Sequence, residues 1–336
     1  MMPPGLQALT PHLHRDQFRT EVIENLPLCR EHFRLVLAVP QFPPTEPGQF
    51  IQIACRDMEA DYGAALETEA EWRPGEPLEV AGEELRRPLA LLRRPFSLAG
   101  RRDTADGVEL EIIHRVVGVG TEWMSRLRTG DAVDVLGPLG NRFELPPPDG
   151  LALLVGGGVG IPPMIYLAEK LGSSRRRAVV FSGALTRDLL PLTIAPDMPS
   201  PGAGSAQPLL SVAEFSRHGI PAVLSTDDGS YGFRGFVTQA LEKYVDESRD
   251  LPPAVTVYTC GPEPMMKRVA VIAAGRGLEC QVAVERAMAC GMGTCQSCCI
   301  RVRKPDPARV PLPGREWCYR LACTDGPVFR GRDLLW

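Results

Sequence analysis

The sequence predicts a chain of three units: an antiparallel β-barrel, a doubly wound parallel α/β unit and a small cysteine-bearing unit. Three observations indicate this fold class. Short runs in which apolar and polar residues roughly alternate recur up to residue 136. Fully apolar runs separated by helical segments follow, and three closely spaced cysteines stand near the C-terminus. A chain of 336 residues is long enough for two or three domains.

Composition and charge exclude several functional classes. Hydrophobic residues make up 44% of the chain and charged residues 23%, as in ordinary globular proteins, and a net charge of −4 gives no indication of nucleic acid or an anionic membrane surface. The stretch Leu151–Ala168 carries no charge, but its four glycines and the Pro162-Pro163 pair favour a strand, a turn and a helix over a membrane span.

Cysteine usage indicates where the protein works. Residues 1–10 lack a basic region followed by an apolar run, so we predict no signal peptide and expect a cytoplasmic protein. Ten cysteines without a secretory signal favour metal or redox use over a disulfide framework.

The barrel is predicted over residues 17–147, after a leader at residues 1–16. Alternating runs bounded by proline and glycine predict its strands. They lie at residues 19–25, 32–39, 49–55, 94–98, 108–117 and 131–136. The acidic, irregular residues 56–88 are interpreted as an inserted surface loop.

A proline-rich joint, Pro146-Pro147-Pro148, marks the end of the barrel. The α/β unit is predicted over residues 150–279 because apolar strands now alternate with helices. Strands are expected at 151–155, 178–183, 222–225 and 255–260, with helices at 162–171, 236–245 and 263–276. The cysteine-bearing unit is predicted over 280–336.

Two motifs in the barrel have the chemistry of a phosphate and ring site. Arg94-Pro95-Phe96-Ser97 combines a guanidinium, a rigid proline and a hydroxyl, which suit a phosphate and a planar ring, although a plain surface strand end is equally compatible. Ile113-His114-Arg115 leads into the turn Gly118-Val119-Gly120-Thr121, which opens a predicted helix over 122–127. The N–H groups at that helix start could receive a pyrophosphate.

Three motifs follow predicted strands of the α/β unit. Gly156-Gly157-Gly158-Val159-Gly160 resembles the strand–glycine–helix turn that approaches a dinucleotide, with Ile161 in place of a third motif glycine; a plain tight turn is the alternative. Cys260-Gly261-Pro262 ends the last predicted parallel strand, where open α/β sheets bind ligands. In Thr226-Asp227-Asp228-Gly229-Ser230, Thr226 and Asp228 are candidates for a ribose or adenine contact, and a polar turn is as compatible.

The cysteines Cys290, Cys295 and Cys298 have the C-x4-C-x2-C spacing that plant-type ferredoxins use for a [2Fe–2S] cluster. A zinc knuckle or unliganded buried thiols are the alternatives. A fourth ligand would come from Cys318 or Cys323. Cys318 stands between bulky aromatic residues typical of packing positions, whereas Cys323 precedes a turn, so the sequence favours Cys323.

These motifs, taken in order, resemble the ferredoxin–NADP reductase superfamily, and within it the electron-transfer subunits of class 1B dihydroorotate dehydrogenase. Residues 155–163, 226–232, 285–291 and 323–329 are similar to phrases of that family, and the phrase Asp325-Gly326-Pro327-Val328-Phe329 is the most specific of them. Three departures are the 56–88 loop, His114 where relatives usually carry tyrosine, and a longer stretch of 24 residues between Cys298 and Cys323.

The resemblance implies an FAD-binding barrel, an NAD-binding domain and a [2Fe–2S] domain in one chain. It implies FAD contacts at Arg94, Pro95, Phe96, Ser97, Ile113, His114, Arg115, Gly120 and Thr121. The nucleotide candidates are Gly156, Gly157, Gly158, Gly160, Thr226, Asp228, Cys260, Gly261 and Pro262. The implied cluster ligands are Cys290, Cys295, Cys298 and Cys323.

The resemblance also implies a function. Electrons from dihydroorotate would pass from the FMN of a separate catalytic subunit to the cluster, to FAD and to NAD⁺ in pyrimidine biosynthesis, in a heterotetramer with two copies of each subunit. The choice between NADH and NADPH stays open. Two alternatives are an NAD(P)H–ferredoxin or hydrogenase-linked reductase subunit and a zinc-binding interaction module without redox activity.

Overall fold

The computed structural model describes residues 16–57, 70–71, 74–75, 79–80, 90–196, 202–248, 250–303 and 316–336. The predicted leader lies outside these residues except for Asp16, which begins the first strand. Most of the predicted 56–88 insertion also lies outside them. Within it, Ala70–Glu71 and Glu79–Val80 pair as two short antiparallel strands.

The N-terminal half forms a curved antiparallel sheet. Its seven strands are β1 (Asp16–Cys29), β2 (His32–Val39), β3 (Phe50–Ile53), β6 (Arg94–Ser97), β7 (Gly100–Thr104), β8 (Gly107–Arg115) and β9 (Ala132–Leu139). They are hydrogen-bonded in the order β6-β3-β9-β1-β2-β8-β7. The short strands β4 (Ala70–Glu71) and β5 (Glu79–Val80) pair with each other outside this sheet. The helix α1 (Val119–Ser125) lies between β8 and β9. The sheet contains the six strands predicted from the sequence and one more, β7.

Alternating side chains fill the barrel. Val22, Leu35, Leu37, Ile51 and Ile53 are fully buried and belong to one apolar core. In a strand, residues two apart face the same side, so the period of two seen in the sequence places these side chains inside. The sheet therefore curls around a core drawn from nearly every strand.

The second sheet is parallel except at one edge. Its strands are β10 (Leu151–Gly157), β11 (Arg177–Ala184), β12 (Ala222–Thr226), β13 (Phe233–Arg234), β14 (Val255–Cys260), β15 (Glu279–Ala283) and β18 (Val328–Arg330). They run in the order β13-β12-β11-β10-β14-β15-β18, and only β18 is antiparallel to its neighbour. Because β10 lies at the centre, the glycines that follow it open onto the middle of the sheet edge.

Helices cover both faces of this sheet, as the doubly wound prediction requires. On one face α2 (Ile161–Ser173) and the short α3 (Ala213–Ser216) share a core with Ala152, Leu154 and Val180. On the other, α4 (Val237–Glu247) and α5 (Glu263–Gly275) share a core with Leu153 and Val155. Alternate residues of β10 thus point into two separate cores, and a strand buried on both faces explains its continuous apolar sequence.

The C-terminal segment leaves this sheet and returns to it. After β15 the chain forms the cysteine loop and a small antiparallel pair, β16 (Cys299–Val302) and β17 (Cys318–Leu321). It then re-enters the large sheet as β18, beside β15. Sequence analysis assigns residues from 280 onward to the cysteine-bearing unit, whereas β15 and β18 belong to the parallel sheet.

One contact between the two halves is the joint of Gly140 and Asn141 with Gly326, Pro327 and Val328. The Asn141 N–H donates to the Gly326 carbonyl at 2.6 Å. The Asn141 side chain donates to the Val328 carbonyl at 2.8 Å and accepts from the Val328 N–H at 2.8 Å. A Cβ added to Gly140 would lie 2.5 Å from Pro327 Cδ. The end of β9 is therefore packed and hydrogen-bonded directly onto the start of β18.

The architecture confirms the predicted fold class: an antiparallel barrel-like sheet, a parallel doubly wound sheet and a small C-terminal cysteine unit. Among the residues described, no helix has the length and apolar character needed to cross a membrane. The segment Leu151–Ala168 forms β10, a glycine turn and the start of α2, as expected.

Candidate functional site

The glycine turn after β10 packs directly on the loop after β14. Gly156 lies opposite Cys260 in the parallel register, so the two strand ends are neighbours. A Cβ on Gly160 would overlap the Cys260 carbonyl, and one on Gly157 would lie 2.5 Å from Met265 Sδ. Only glycine permits this approach, which places the turn and the Cys260–Pro262 loop against each other at the carboxyl edge of the sheet.

Gly158 differs from the other glycines of the turn. Its φ is +53°, a left-handed backbone that L side chains rarely adopt, but a Cβ there would meet no atom within 4 Å. The space in front of Gly158 belongs to a cavity. Gly158 is therefore glycine for its backbone conformation and for access to that cavity.

The cavity has a volume of about 520 Å³ and lies between the sheet edge and the barrel. Gly157, Gly158 and Pro262 line it from the parallel sheet, and His32 and Arg115 line it from the barrel. Three of the predicted nucleotide residues, Gly157, Gly158 and Pro262, therefore lie together at one opening. Its volume falls in the range of small-molecule and cofactor sites.

Charged groups at the cavity have opposite signs. Arg115 pairs with Glu31 at 2.8 Å and Arg268 pairs with Glu242 at 2.9 Å, and both arginines line the cavity. Asp227 also lines it, and burial followed by the nearby Asp228 raises the pKa of the Asp227 carboxyl. The opening thus offers guanidinium groups for phosphates and one carboxylate for a hydroxyl.

Asp227 was missed by the sequence analysis, which selected Thr226 and Asp228 from the same turn. Thr226 is fully buried, and its hydroxyl donates to the Tyr231 carbonyl at 2.8 Å. Asp228 accepts from the Ser230 N–H at 2.9 Å and from its hydroxyl at 2.6 Å. Both side chains therefore hold the turn in shape. The signal for Asp227 is its position directly after the strand, because it is the first residue beyond β12.

Cys260 lies behind the cavity wall. It is 8% exposed, and burial raises the pKa of its thiol to about 12. The thiol is therefore protonated at neutral pH. Gly261 beside it has a φ of +145° and packs on Gly157. This loop shapes the opening through its main chain and Pro262.

The strand Arg94–Ser97 lies at the edge of the barrel sheet, where one side of its backbone has no strand partner among the described residues. All four residues are half-buried. None of them lines the cavity of 520 Å³. An edge strand with accessible main-chain groups can receive the polar rim of a planar ring, as the motif predicts.

His114 links this strand to the cavity wall. The Phe96 ring meets the His114 ring edge-on at 6.2 Å, and the Phe33 ring stacks on His114 at 5.7 Å. Burial, together with His32, lowers the pKa of His114 to about 4, so the imidazole is neutral at neutral pH. Its ring is 2% exposed, so it supports Phe96 from within the barrel wall. Arg115, the next residue, faces the cavity.

The turn before α1 is closed by Thr121. The Thr121 hydroxyl accepts from the Val117 N–H at 2.9 Å and from the Gly118 N–H at 3.2 Å. A Cβ added to Gly120 would lie 3.2 Å from Cys55 Cβ, so there is little room for a side chain at this position. The predicted turn and helix are therefore present, and Thr121 itself occupies two of the N–H groups that could receive a phosphate.

The four predicted cluster cysteines converge from two parts of the chain. In the first pair, the Cys295 N–H donates to Cys290 Sγ at 3.3 Å, and the Met292 N–H donates to the same sulfur at 3.5 Å. Gly291 and Gly293 have φ values of +70° and +91°, which turn the loop around Cys290. Hydrogen bonds with Ser297, followed by two with Cys290, lower the pKa of the Cys295 thiol to about 6.

The second pair is Cys298 with Cys323. Burial, followed by contact with the Cys298 thiol and the charge on Cys290, raises the pKa of Cys323 to about 12. Cys298 is 2% exposed and Cys323 1% exposed. Among the described residues, no group of three His, Cys, Asp or Glu side chains is arranged to hold a metal ion. Two pairs of thiols supply the number and kind of ligands that a two-iron cluster needs, two for each iron.

The other two nearby cysteines lie on the β16–β17 pair. Cys299 is paired in register with Leu321, and Cys318 with Val302. Leu321 lies opposite Cys299 and so marks the end of the strand pair next to Cys298. Cys318 is three residues before Leu321, which places it about 10 Å along the strand from that end. Trp317 packs edge-on against Tyr319 at 5.1 Å. The geometry places Cys323, and not Cys318, beside Cys298.

Comparisons with known proteins agree with this arrangement. A sequence model described as the iron–sulfur cluster binding domain of dihydroorotate dehydrogenase B matches residues 285–335. The dihydroorotate dehydrogenase B (NAD(+)), electron transfer subunit, of Geobacillus thermodenitrificans is 36% identical over 264 residues, which cover 78% of this chain and 86% of the relative. The subunit of the same name from Desulforamulus reducens is 30% identical over 263 residues, covering 78% and 87%.

A solved structure is similar over nearly the whole chain. The structure of an NADH-dependent reduced ferredoxin–NADP oxidoreductase, described for flavin-based electron bifurcation, superposes with a TM-score of 0.64 at 27% identity. The superposition covers 94% of this chain and 90% of that chain. A cytochrome P450 reductase from Amycolatopsis superposes with a TM-score of 0.53 at 25% identity, over 78% of this chain and 66% of that chain.

The first prediction concerns the fourth cysteine. Cys323→Ser is expected to lose or distort the cluster because Cys323 lies beside Cys298, whereas Cys318→Ser should keep it. Iron content and low-temperature EPR after reduction measure the outcome. A normal spectrum from Cys323→Ser together with an altered one from Cys318→Ser would move the ligand to Cys318.

The second prediction concerns the glycine turn. Gly158→Val should raise the KM for NADH about tenfold or more, because the side chain would project into the cavity. Gly219→Val is the matched control: Gly219 also has a positive φ, +71°, and open space, but lies outside the cavity lining. Both variants should lose about 1–2 kcal/mol of unfolding free energy. Equal NADH kinetics in the two would show that the turn is only structural.

The third prediction concerns Asp227. A carboxylate at this position can bond the 2′-hydroxyl of a ribose and repel a 2′-phosphate. Asp227→Ser should therefore raise kcat/KM for NADPH relative to NADH by about tenfold, equivalent to about 1.4 kcal/mol. Asp228→Ser, which changes a carboxylate held in the turn by Ser230, should leave the ratio unchanged. An effect of Asp228→Ser and none of Asp227→Ser would contradict the assignment.

Proposed function

The chain belongs to the family of dihydroorotate dehydrogenase B electron transfer subunits, and from this we propose that it carries electrons from the FMN of a dihydroorotate-oxidising partner to NAD⁺. It is an electron-transferring oxidoreductase subunit that uses FAD, a [2Fe–2S] cluster and NAD(H). The single observation that carries the proposal is the position of the Arg94–Ser97 strand. This strand is hydrogen-bonded to β3, and β3 contacts the cysteine loop. The strand also contacts β8, and β8 contributes to the lining of the cavity.

FAD would be held on the barrel. We assign its ring to the unpaired edge of Arg94–Ser97 and its phosphates to Arg94, Arg115 and the N–H groups of the Gly118–Thr121 turn that Thr121 does not bond. The fit rests on the free strand edge and on two arginines close in sequence to the Phe96–His114 contact, Arg94 in the same strand as Phe96 and Arg115 directly after His114. The neutral, buried His114 supports the ring from behind the strand.

The cluster would be held by Cys290, Cys295, Cys298 and Cys323, two thiolates to each iron. Gly291 and Gly293 let the loop turn its N–H groups inward, as the two hydrogen bonds to Cys290 Sγ illustrate. Such donors stabilise the negative charge of thiolate ligands. Cys298 and Cys323 would shield one side of the cluster from water, and the exposed Cys295 would leave the other side at the surface.

The nucleotide would enter the cavity over Gly157 and Gly158. Arg268 would face its phosphates, and Asp227 would accept a hydrogen bond from the adenosine ribose, which favours NAD(H) over NADP(H). Phe236, which lines the cavity and is 60% exposed, offers an apolar face to the adenine.

Bound FAD supplies the exchange of a hydride with nicotinamide and of single electrons with the cluster. The residues of this chain contribute position and environment. Cys260, whose thiol stays protonated, and Gly261 hold the cavity wall, and no side chain is required as a nucleophile or base. Dihydroorotate would be oxidised on the partner, where a positioned base would take the proton and the FMN would accept the hydride.

The partner would approach the surface of the cysteine loop. Met292 is 54% exposed and Cys295 is also exposed, so the loop presents the cluster edge to a second protein. We propose an FMN-containing catalytic subunit at this surface and a cytoplasmic heterotetramer with two copies of each chain. A closed two-fold assembly is the commonest way for such pairs to associate.

A ferredoxin-linked reductase subunit is the second candidate. The observation that favours it is the similarity to the NADH-dependent ferredoxin–NADP oxidoreductase, which covers 94% of this chain. The closing phrase Asp325–Phe329 and the relatives from Geobacillus and Desulforamulus favour the first candidate. A zinc-binding interaction module has no comparable support.

The fourth prediction tests the division of labour. The isolated chain is expected to purify with FAD and about two irons, to oxidise NADH with an artificial acceptor, and not to turn over dihydroorotate. After co-purification with its native partner, dihydroorotate should reduce NAD⁺.

Each alternative has its own outcome in this experiment. Dihydroorotate turnover by the single chain would refute the separate catalytic subunit. Ferredoxin reduction by NAD(P)H, with no dihydroorotate activity in the native complex, would favour the second candidate. A protein that contains zinc in place of iron and shows no flavin absorbance would refute both the dihydroorotate-linked and the ferredoxin-linked function.

A further inference from the structure

Gln52 is a buried amide without a partner. Its side chain is fully buried, and among the residues that the structure describes neither Oε1 nor Nε2 of Gln52 has a hydrogen-bond partner. Leaving a buried amide unsatisfied destabilises the folded state, whereas an apolar side chain of similar shape would carry no such penalty.

Gln49, three residues earlier, shows the ordinary arrangement. It is 3% exposed, and its amide donates to the Gly140 carbonyl at 3.2 Å and accepts from the Glu46 N–H at 2.9 Å. The same segment therefore satisfies one buried glutamine and leaves the other open. This contrast indicates that Gln52 faces a group other than the protein atoms described.

The direction of Gln52 identifies that group. Ile51 and Ile53 point into the barrel core, so Gln52 points to the opposite face of β3. Phe50, two residues before and on that same face, packs in one core with Cys298 and Cys323. Gln52 is thus directed from the barrel towards the cysteine unit.

Gln52 also abuts the cysteine loop itself. A Cβ added to Gly291 would lie 2.5 Å from Gln52 Oε1 and 2.8 Å from its Cδ, so the amide end of the side chain touches the loop. Oε1 and Nε2 both lack a partner among the described residues, and a half-turn about the Cγ–Cδ bond exchanges their places, which brings the N–H donor to the loop. Gly291, at a φ of +70°, follows Cys290 directly. In the register of the sheet, Gln52 lies opposite Pro95 of the Arg94–Ser97 strand. One amide therefore occupies the place where the strand assigned to the flavin approaches the cluster loop.

We propose that the Gln52 amide donates a hydrogen bond to a sulfur on the Cys290 side of the [2Fe–2S] cluster and thereby raises the cluster's reduction potential. The proposal rests on the cluster assigned under the proposed function. A hydrogen bond to a cluster sulfur stabilises the extra negative charge of the reduced state, so it favours reduction. Since Gln52 is neutral, it does this without placing a charge between the two redox groups.

The fifth prediction measures this directly. Gln52→Leu and Gln52→Glu both remove the N–H donor, and both are expected to lower the midpoint potential of the cluster. Redox titration followed by the EPR signal of the reduced cluster gives that potential, and flavin absorbance in the same titration gives that of FAD. The flavin potential and the iron content should stay at their wild-type values.

Two controls separate this role from a structural one. Gln49→Leu removes a buried amide that bonds only protein atoms, so it should lower the free energy of unfolding and leave the cluster potential unchanged. Gln52→Leu should leave the stability of the cluster-free protein unchanged or increase it, because it removes an unsatisfied amide. Gln52→Met provides a second apolar variant if Gln52→Leu does not fold.

Several results would overturn the inference. They are an unchanged cluster potential in the Gln52 variants, a shift confined to the flavin, and an equal shift in Gln49→Leu. A wild-type protein that contains no two-iron cluster would instead refute the proposed function itself, so the two failures are distinguishable in the same experiment.

Discussion

The joint of Gly140 and Asn141 with Gly326, Pro327 and Val328 is a close backbone contact that connects all three units of the chain. Asn141 makes four hydrogen bonds to this segment, to the Asp325 and Gly326 carbonyls and to both main-chain groups of Val328. The Pro327 carbonyl accepts from the Val284 N–H at 2.9 Å, which ties the same residues to the parallel sheet. The joint therefore holds the barrel, the parallel sheet and the cysteine unit together, and with them the sites proposed for flavin, nucleotide and cluster.

This joint contains the phrase Asp325–Phe329, which carries the resemblance to the family most specifically. The sequence interpretation treats it as a turn that curls around the cluster edge. In the structure Asp325 accepts from the Leu321 N–H at 2.7 Å, and Gly326 lies under the Phe329 ring, where a Cβ would overlap. Pro327 and Val328 then pack on the end of β9. Each residue of the phrase serves a different contact, so its spacing tolerates little change.

Much of the fold could be predicted from the sequence because local patterns determine it. Alternation predicted the barrel strands, and continuous apolar runs predicted β10, β11, β12 and β14. The positions of β15 and β18 could not be predicted, because they pair across the cysteine unit and their short sequences carry no period. The cysteines and glycines were found through their spacing. The roles proposed for Asp227 and Gln52 could not be predicted, because they follow from which side of a turn or strand each side chain faces, and only the packed structure shows that.

The return of the chain to β18 beside β15 makes the cysteine unit an excursion between two neighbouring strands. Its two ends are fixed by the sheet, whatever the length of chain between them. The entropy lost on closing such an excursion grows only with the logarithm of its length, about 0.6 kcal/mol for each doubling. The long stretch between Cys298 and Cys323 is therefore tolerated, and a redox module inserted at this point can change in size during evolution without disturbing the sheet that supports it.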